Sequence, residues 1–175
     1  IDAAVIPKME TIRVNLTAAD AQSLGGFAVD PQVTPDGRFV VFTSSASDLV
    51  PNDTNGMYDV FVKDLQTGAI ERASVDTGGT QLTVHSGIAS ITPDGRFVSF
   101  SAGGYVKVRD RMQDPTEPIA AGGRSSISDD GRYVALASLW NLLAGYAGLV
   151  SVGQQAYVGF GGYMLASGLL EVFHS

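Results

Sequence analysis

Short apolar runs alternate with polar turns along residues 28–138, which is the pattern of a β-rich chain. Residues 39–43 and 97–101 are nearly continuous apolar runs, which predict strands that are buried on both faces. The segments between the runs are rich in Gly, Pro, Asp and Thr, and such segments form tight turns. The pattern predicts an all-β fold of short antiparallel strands.

An Asp-Gly-Arg tripeptide occurs three times, each time directly before an apolar strand. The copies read TPDGRFVVFTS at 34–44, TPDGRFVSFSA at 92–102 and SDDGRYVALAS at 128–138. In such a turn the aspartate caps backbone amides and the glycine accepts a positive φ. Because the tripeptide recurs at the same place in each copy, we interpret its residues as structural and not catalytic. They are Asp36, Gly37, Arg38, Asp94, Gly95, Arg96, Asp130, Gly131 and Arg132.

Each copy opens a unit of four short predicted strands, which is the plan of a β-propeller blade. Blade one is predicted at 30–76, blade two at 87–121 and blade three at 124–167. All of residues 1–175 are therefore interpreted as a single propeller repeat domain.

The segment that precedes blade one matches the end of blade one. IRVNLTAADAQ at 12–22 aligns with ERASVDTGGTQ at 71–81, so a lone fourth strand is predicted at 10–16. Propellers have four to eight blades, and an isolated fourth strand is what closes the last blade of a ring. Two hypotheses follow. Either two copies of the chain clasp each other in one ring, or these blades belong to a longer propeller.

The units resemble the TolB-like, or PD-repeat, bacterial β-propellers. In that family a blade runs from S/T-P-D-G-R/K through an apolar strand and a loop to an Asp-x-Phe/Tyr-Val-x-Asp strand and a Thr-Gly turn. Residues 34–68, TPDGRFVVFTSSASDLVPNDTNGMYDVFVKDLQTG, match this plan nearly throughout. The resemblance is specific over 11–92, weaker to 138 and poor beyond it. It implies an extracytoplasmic bacterial protein, periplasmic or secreted, and its shared motif carries no catalytic residue.

Composition narrows the possible partners. The net charge is −7 and Lys and Arg form no cluster, so a nucleic-acid partner is not expected. The chain has no cysteine, which excludes disulfides and thiolate metal sites. The chain begins at Ile1 without Met, and we expect it to be processed or cut from a longer protein.

One acidic loop, at 52–59, has the spacing of a calcium loop. Asp53, Asn55 and Asp59 stand at relative positions one, three and seven around Gly56, and Ca²⁺ binds six to eight oxygen ligands. Asp48 or a backbone carbonyl would complete the shell. The alternative is a loop whose Asp and Asn side chains cap its own amides. We retain calcium as the one predicted cofactor.

The C-terminal third carries no charged residue from 133 to 170. We interpret this apolar segment as a buried strand and loop that pack against a neighbour, with a membrane-associated helix at 133–153 as the less favoured alternative. Trp140, which is the only tryptophan, is a candidate binding residue for a sugar ring or a protein side chain, and packing within the core is the favoured alternative.

The sequence favours a non-enzymatic binding or assembly module whose partner is itself, other blades of a longer chain, or another protein. The alternative from another class is a propeller-type carbohydrate-active enzyme, a lyase or a hydrolase. Such an enzyme would need non-repeated carboxylates gathered at one end of the channel, and the candidates are Asp48, Asp53, Asp59 and Glu117.

Overall fold

The computed structural model describes residues 11–136, and these residues form ten β-strands and no α-helix. The all-β prediction is confirmed. Within the same residues no helix has the length and apolar character that a membrane span requires.

Blade one is a four-stranded antiparallel sheet with its strands in chain order. They are β1 (Ala28–Val33), β2 (Phe39–Ser44), β3 (Asp59–Asp64) and β4 (Ile70–Arg72). All six residues of both β2 and β3 are buried, as the apolar run of β2 predicts. A long connection, residues 45–58, joins β2 to β3.

Blade two repeats this sheet. It consists of β5 (Ser86–Ile91), β6 (Phe97–Ala102), β7 (Tyr105–Asp110) and β8 (Thr116–Ala121). Here the second and third strands are joined by Gly103 and Gly104 alone, both with positive φ. Strand β8 contains Pro118, which is accommodated beside a register shift in the pairing with β7.

The described part of blade three is a two-stranded sheet of β9 (Ser125–Ile127) and β10 (Val134–Leu136). The predicted closing strand contributes a single bridge, Leu16 to Gln22, among the described residues. The fourth strand of a blade pairs with the third strand of that blade. Residues 11–27 contain no third strand, so the predicted closing strand has no strand to pair with among the described residues.

Two apolar clusters lie on opposite faces of blade one. The first fills the space between blades one and two, and its largest members are Phe39 and Phe100. The second contains Phe42 and Phe61, whose rings stack with centroids 5.8 Å apart, and it is covered by Val14 from the N-terminal segment. Among the described residues, one face of blade one is therefore joined to a blade and the other only to a single segment.

The first strands of blades one and two contain matching bulges. The register of β1 against β2 shifts between Val29 and Gln32, and that of β5 against β6 shifts between Gly87 and Ser90. Within these bulges Asp30 has a φ of 52° and Ile88 a φ of 51°. The two blades therefore share their backbone irregularities as well as their strand order.

Candidate functional site

The repeated turn is held by one hydroxyl and one carboxylate. In blade one Thr34 Oγ1 donates to Asp36 Oδ1 at 2.6 Å, and Arg38 N–H donates to the same oxygen at 3.0 Å. Phe39 N–H donates to Thr34 Oγ1 at 3.0 Å. The same three bonds occur in blades two and three, where they use Thr92, Asp94, Arg96 and Phe97, and Ser128, Asp130, Arg132 and Tyr133.

The arginine of each turn joins it to the third strand of its own blade. Arg38 forms an ion pair with Asp64 at 3.0 Å, and Arg96 forms one with Asp110 at 2.7 Å. Each guanidinium also lies over the ring of the following phenylalanine, 4.6 Å and 4.7 Å from its centroid. Arg132 contacts Asp130 of its own turn at 3.8 Å instead.

The glycines of the second and third turns join these turns to the preceding blade. A Cβ on Gly95 would overlap the ring of Phe39, and a Cβ on Gly131 would lie 2.5 Å from Phe97 Cδ2. We call this contact the glycine–aromatic joint. Glycine is required at both positions because φ is positive, 73° and 70°, and because the ring occupies the space of a side chain.

A hydrogen bond between blades also recurs. Gln32 Oε1 accepts from Ile91 N–H at 3.3 Å, and Ser90 Oγ accepts from Ile127 N–H at 3.5 Å. Gln32 and Ser90 occupy equivalent positions in β1 and β5, 58 residues apart, which is also the separation of Asp36 and Asp94. Neighbouring blades are therefore joined by repeated positions at every described junction.

The carboxylates of the turns and of the third strands make the stability of the fold depend on pH. The ion pair with Arg38 lowers the pKa of Asp64 from 3.8 to about 2, and hydrogen bonds from Thr92 and Arg96 lower the pKa values of Asp94 and Asp110. A lowered folded-state pKa stabilises the fold above the unfolded pKa, and this contribution is lost as the pH falls through the folded pKa. We expect the urea midpoint to fall as the pH is lowered from 5 to 2.

The Asp64→Asn variant should be less stable than the wild-type protein at pH 6 and should lose less stability on acidification. The exposed Asp129 serves as the control, and its Asn variant should follow the wild-type profile. Equal slopes for wild type and Asp64→Asn between pH 5 and pH 2 would contradict the assignment.

Two carboxylates of the acidic loop meet at the side chain of Gln81. Gln81 Nε2 donates to Asp53 Oδ1 at 2.7 Å and to Asp59 Oδ2 at 3.0 Å. Arg72, on β4, lies 3.6 Å from Asp53 Oδ1. Burial raises the pKa of Asp53 above its usual value, although the hydrogen bond from Gln81 opposes that shift. Gln81 and Arg72 thus bring their own blade's acidic loop against the segment that follows β4.

Asp59 is fully buried, and its oxygens accept from three side chains. Ser74 Oγ donates to Oδ1 at 2.5 Å, and Asn55 Nδ2 donates to Oδ2 at 3.0 Å beside Gln81. Asn55 Oδ1 accepts from Met57 N–H at 2.8 Å. Hydrogen-bond donors of the protein therefore surround the oxygens that a cation would need.

The predicted metal ligands are only partly together. Asp53, Asn55 and Asp59 form one cluster, whereas Asp48 accepts from Ser23 Oγ at 2.6 Å and from Leu24 N–H at 2.7 Å. Within residues 11–136 no three His, Cys, Asp or Glu side chains are grouped as a metal site would require. Calcium at this loop stays a prediction, and binding there would require Gln81 Nε2 and Asn55 Nδ2 to move away.

The carboxylates proposed for an enzyme are likewise divided. Asp53 and Asp59 are close to each other, while Glu117 lies exposed on β8. Trp140 and almost all of the apolar segment 133–170 lie outside the described residues. Sequence reasoning missed Gln81 and Arg72, although the match between 12–22 and 71–81 already marks both positions.

No protein-family model and no curated protein sequence matches the chain. Among solved structures it is similar to TolB from Acinetobacter baumannii, with 24% identity and a TM-score of 0.43 over 68% of this chain and 28% of that one. It is similar to the β-propeller domain of the Trilobed protease from Pyrococcus furiosus, with 13% identity and a TM-score of 0.43 over 65% of this chain and 34% of that one.

Hydrazine synthase from Kuenenia stuttgartiensis is a third similar structure, with 15% identity and a TM-score of 0.46 over 66% of this chain and 43% of that one. The chain spans less than half the length of each of these three proteins. The predicted resemblance to TolB-like propellers is confirmed as a similarity of fold, and the predicted all-β plan of four-stranded antiparallel sheets is confirmed in blades one and two.

Proposed function

We propose that this chain is a non-enzymatic binding and assembly module of an extracytoplasmic bacterial protein, and that the face of blade one that precedes β1 receives another blade. Either a second copy of the chain or a further blade of a longer propeller would be the occupant. The location rests on the resemblance of the turn motif to TolB-like blades. The assembly role rests on the repeated junctions between the blades.

The observation that carries the proposal is the open space at Gly37. Gly95 and Gly131 each receive the aromatic ring of the preceding blade, whereas among residues 11–136 no atom beyond the chain neighbours of Gly37 lies within 4 Å of a Cβ built on that residue. The φ of Gly37 is 76°, close to the values at the two occupied positions. Blade one therefore has the receiving half of a glycine–aromatic joint without the ring that would fill it.

Strand exposure supports the same conclusion. Strand β5, which has blade one beside it, is buried or half-buried at every residue, whereas all six residues of β1 are exposed. Phe27, Val29 and Val33 are 73%, 44% and 56% exposed. Grouped apolar side chains on one strand are typical of a surface that a partner covers.

The test is the mass of the chain in solution, measured by light scattering after size exclusion. We expect association that increases with concentration and that Gly37→Ala weakens, since its methyl group would occupy the space of the incoming ring. Gly68→Ala is the matched control, because Gly68 also has a φ of 76° and open space but lies in the β3–β4 turn.

A chain that stays monomeric up to high concentration would rule out self-association through this face. The same association for Gly37→Ala and for the wild-type protein would show that association uses another surface.

A further inference from the structure

The segment before blade one carries an arginine and a glutamine that correspond to the two residues holding the acidic loop of blade one. Residues 12–22 align with 71–81, and the structure repeats this match. Leu16 bridges to Gln22 as Val75 bridges to Gln81. Both pairs enclose a turn of the same form, in which Thr17 N–H donates to the Ala21 carbonyl as Asp76 N–H donates to that of Thr80. Arg13 and Gln22 thus correspond to Arg72 and Gln81.

The two sets of residues differ in their partners. Arg72 and Gln81 hold the Asp53 and Asp59 carboxylates of their own blade. Arg13 and Gln22 are exposed, and no hydrogen bond or ion pair joins either side chain to another residue in the described part of the chain. An arginine and a glutamine in this arrangement match a pair of carboxylates by charge and by hydrogen bonding.

Space for a strand lies beside this segment. A cleft of about 420 Å³ separates Thr11–Asn15 from blade one, and Val29, Pro31 and Phe42 line its other wall. Ile12, at the cleft, is 61% exposed. An extended strand that paired with residues 11–13 could therefore cover the apolar lining of the cleft. A loop preceding that strand could then reach Arg13 and Gln22.

We propose that residues 11–22 bind a blade strand that is preceded by an acidic loop of the type Asp-x-Asn-Gly-x-x-Asp, with its two carboxylates on Arg13 and Gln22. This proposal rests on the proposed function, because it uses the same face of blade one, and it names the chemistry of the occupant. The third blade of a second copy does not supply that chemistry, since residues 133–170 contain no charged side chain. The occupant is a blade with its own acidic loop.

The pairing can be specified from blade one. There Phe61 pairs with Arg72, Val62 with Glu71 and Lys63 with Ile70. Transferred to the N-terminal segment, the incoming strand would place the residues equivalent to Phe61, Val62 and Lys63 opposite Arg13, Ile12 and Thr11. A peptide with residues 51–64 of this chain, PNDTNGMYDVFVKD, therefore serves as the probe, because it contains one such loop and strand.

The experiment measures binding of the labelled peptide to the full chain by fluorescence anisotropy, at a chain concentration where the chain is monomeric. We expect saturable binding that Arg13→Ala and Gln22→Ala each weaken about tenfold or more, as expected for hydrogen bonds to charged groups. A peptide with Asn in place of Asp53 and Asp59, which keeps Asp64, should bind as weakly. Arg124→Ala is the matched control, because Arg124 is exposed and lies outside the segment.

The Gln22→Glu variant gives a second readout that does not depend on loss of a side chain. It places a third carboxylate beside the two carboxylates of the peptide loop, and the repulsion between them should abolish binding at low salt. Circular dichroism of each variant checks that the blades remain folded. Absent binding, equal binding of the Asn-substituted peptide, or equal binding by Arg13→Ala would overturn the proposal. If the peptide fails while Gly37→Ala still weakens association of the chain, the acidic-loop partner is wrong and the proposed function stands.

Discussion

An Asp59→Ala variant is expected to lose about 3–5 kcal/mol of unfolding free energy, because the substitution leaves buried donors without an acceptor. Asp59 is fully buried and accepts from Ser74, Asn55 and Gln81. Asn55 lies in the β2–β3 connection, and Ser74 and Gln81 lie in the segment between β4 and β5. Urea unfolding followed by circular dichroism measures the loss.

Asp48→Ala is the control for the removal of a loop carboxylate. Asp48 also accepts two hydrogen bonds, but it is only half-buried, so we expect a loss of about 1 kcal/mol. A loss at Asp59 no greater than that at Asp48 would contradict the role of the cluster. Unfolding with and without millimolar Ca²⁺ tests the calcium prediction, because a bound ion would stabilise the wild-type protein and not the Asp59→Ala variant.

A Gly95→Ala variant is expected to lose about 2–5 kcal/mol, because it combines a strained backbone with overpacking. The φ of Gly95 is 73°, and its added methyl group would overlap the Phe39 ring. That ring cannot easily move, since the guanidinium of Arg38 lies 4.6 Å and that of Arg111 5.0 Å from its centroid. Thermal and urea unfolding measure the effect.

Gly68→Ala separates the two causes. Gly68 has a φ of 76° and open space around it, so its variant carries the backbone strain alone and should lose about 1–2 kcal/mol. If the two alanine variants are equally stable, the ring of Phe39 does not restrict this position and the glycine–aromatic joint contributes nothing beyond the backbone.

The strands and turns of the blades could be predicted because their signals are local. The apolar run at 39–43 identifies β2, and the turn before it follows from Pro35, Asp36 and Gly37 within a few residues. The same is true of β3, which coincides with the Asp-x-Phe/Tyr-Val-x-Asp pattern, DVFVKD, within residues 34–68. Strand β4 has only three residues, and all three pair with β3 across the adjacent turn.

The candidate site could not be predicted in full, because its key contacts join residues far apart in the chain. Gln81 is 28 residues from Asp53 and 22 from Asp59, and the sheet register brings them together. Loop spacing indicates where oxygen atoms cluster, but not whether a cation or an amide nitrogen satisfies them. The function of Gly95 was equally hidden, since its sequence signal is a turn and its ring partner belongs to another blade.

The unequal β2–β3 and β6–β7 connections have an evolutionary consequence. Blade one has residues 45–58 where blade two has two glycines, yet both blades keep the same bulges, turns and glycine–aromatic joints. The connection and the Asp-Gly-Arg turn lie at opposite ends of the second strand. An insertion or deletion in the connection after the second strand can therefore change the molecular surface in one step, while the contacts between neighbouring blades are inherited intact. Recognition can diversify along one rim while the scaffold stays constant.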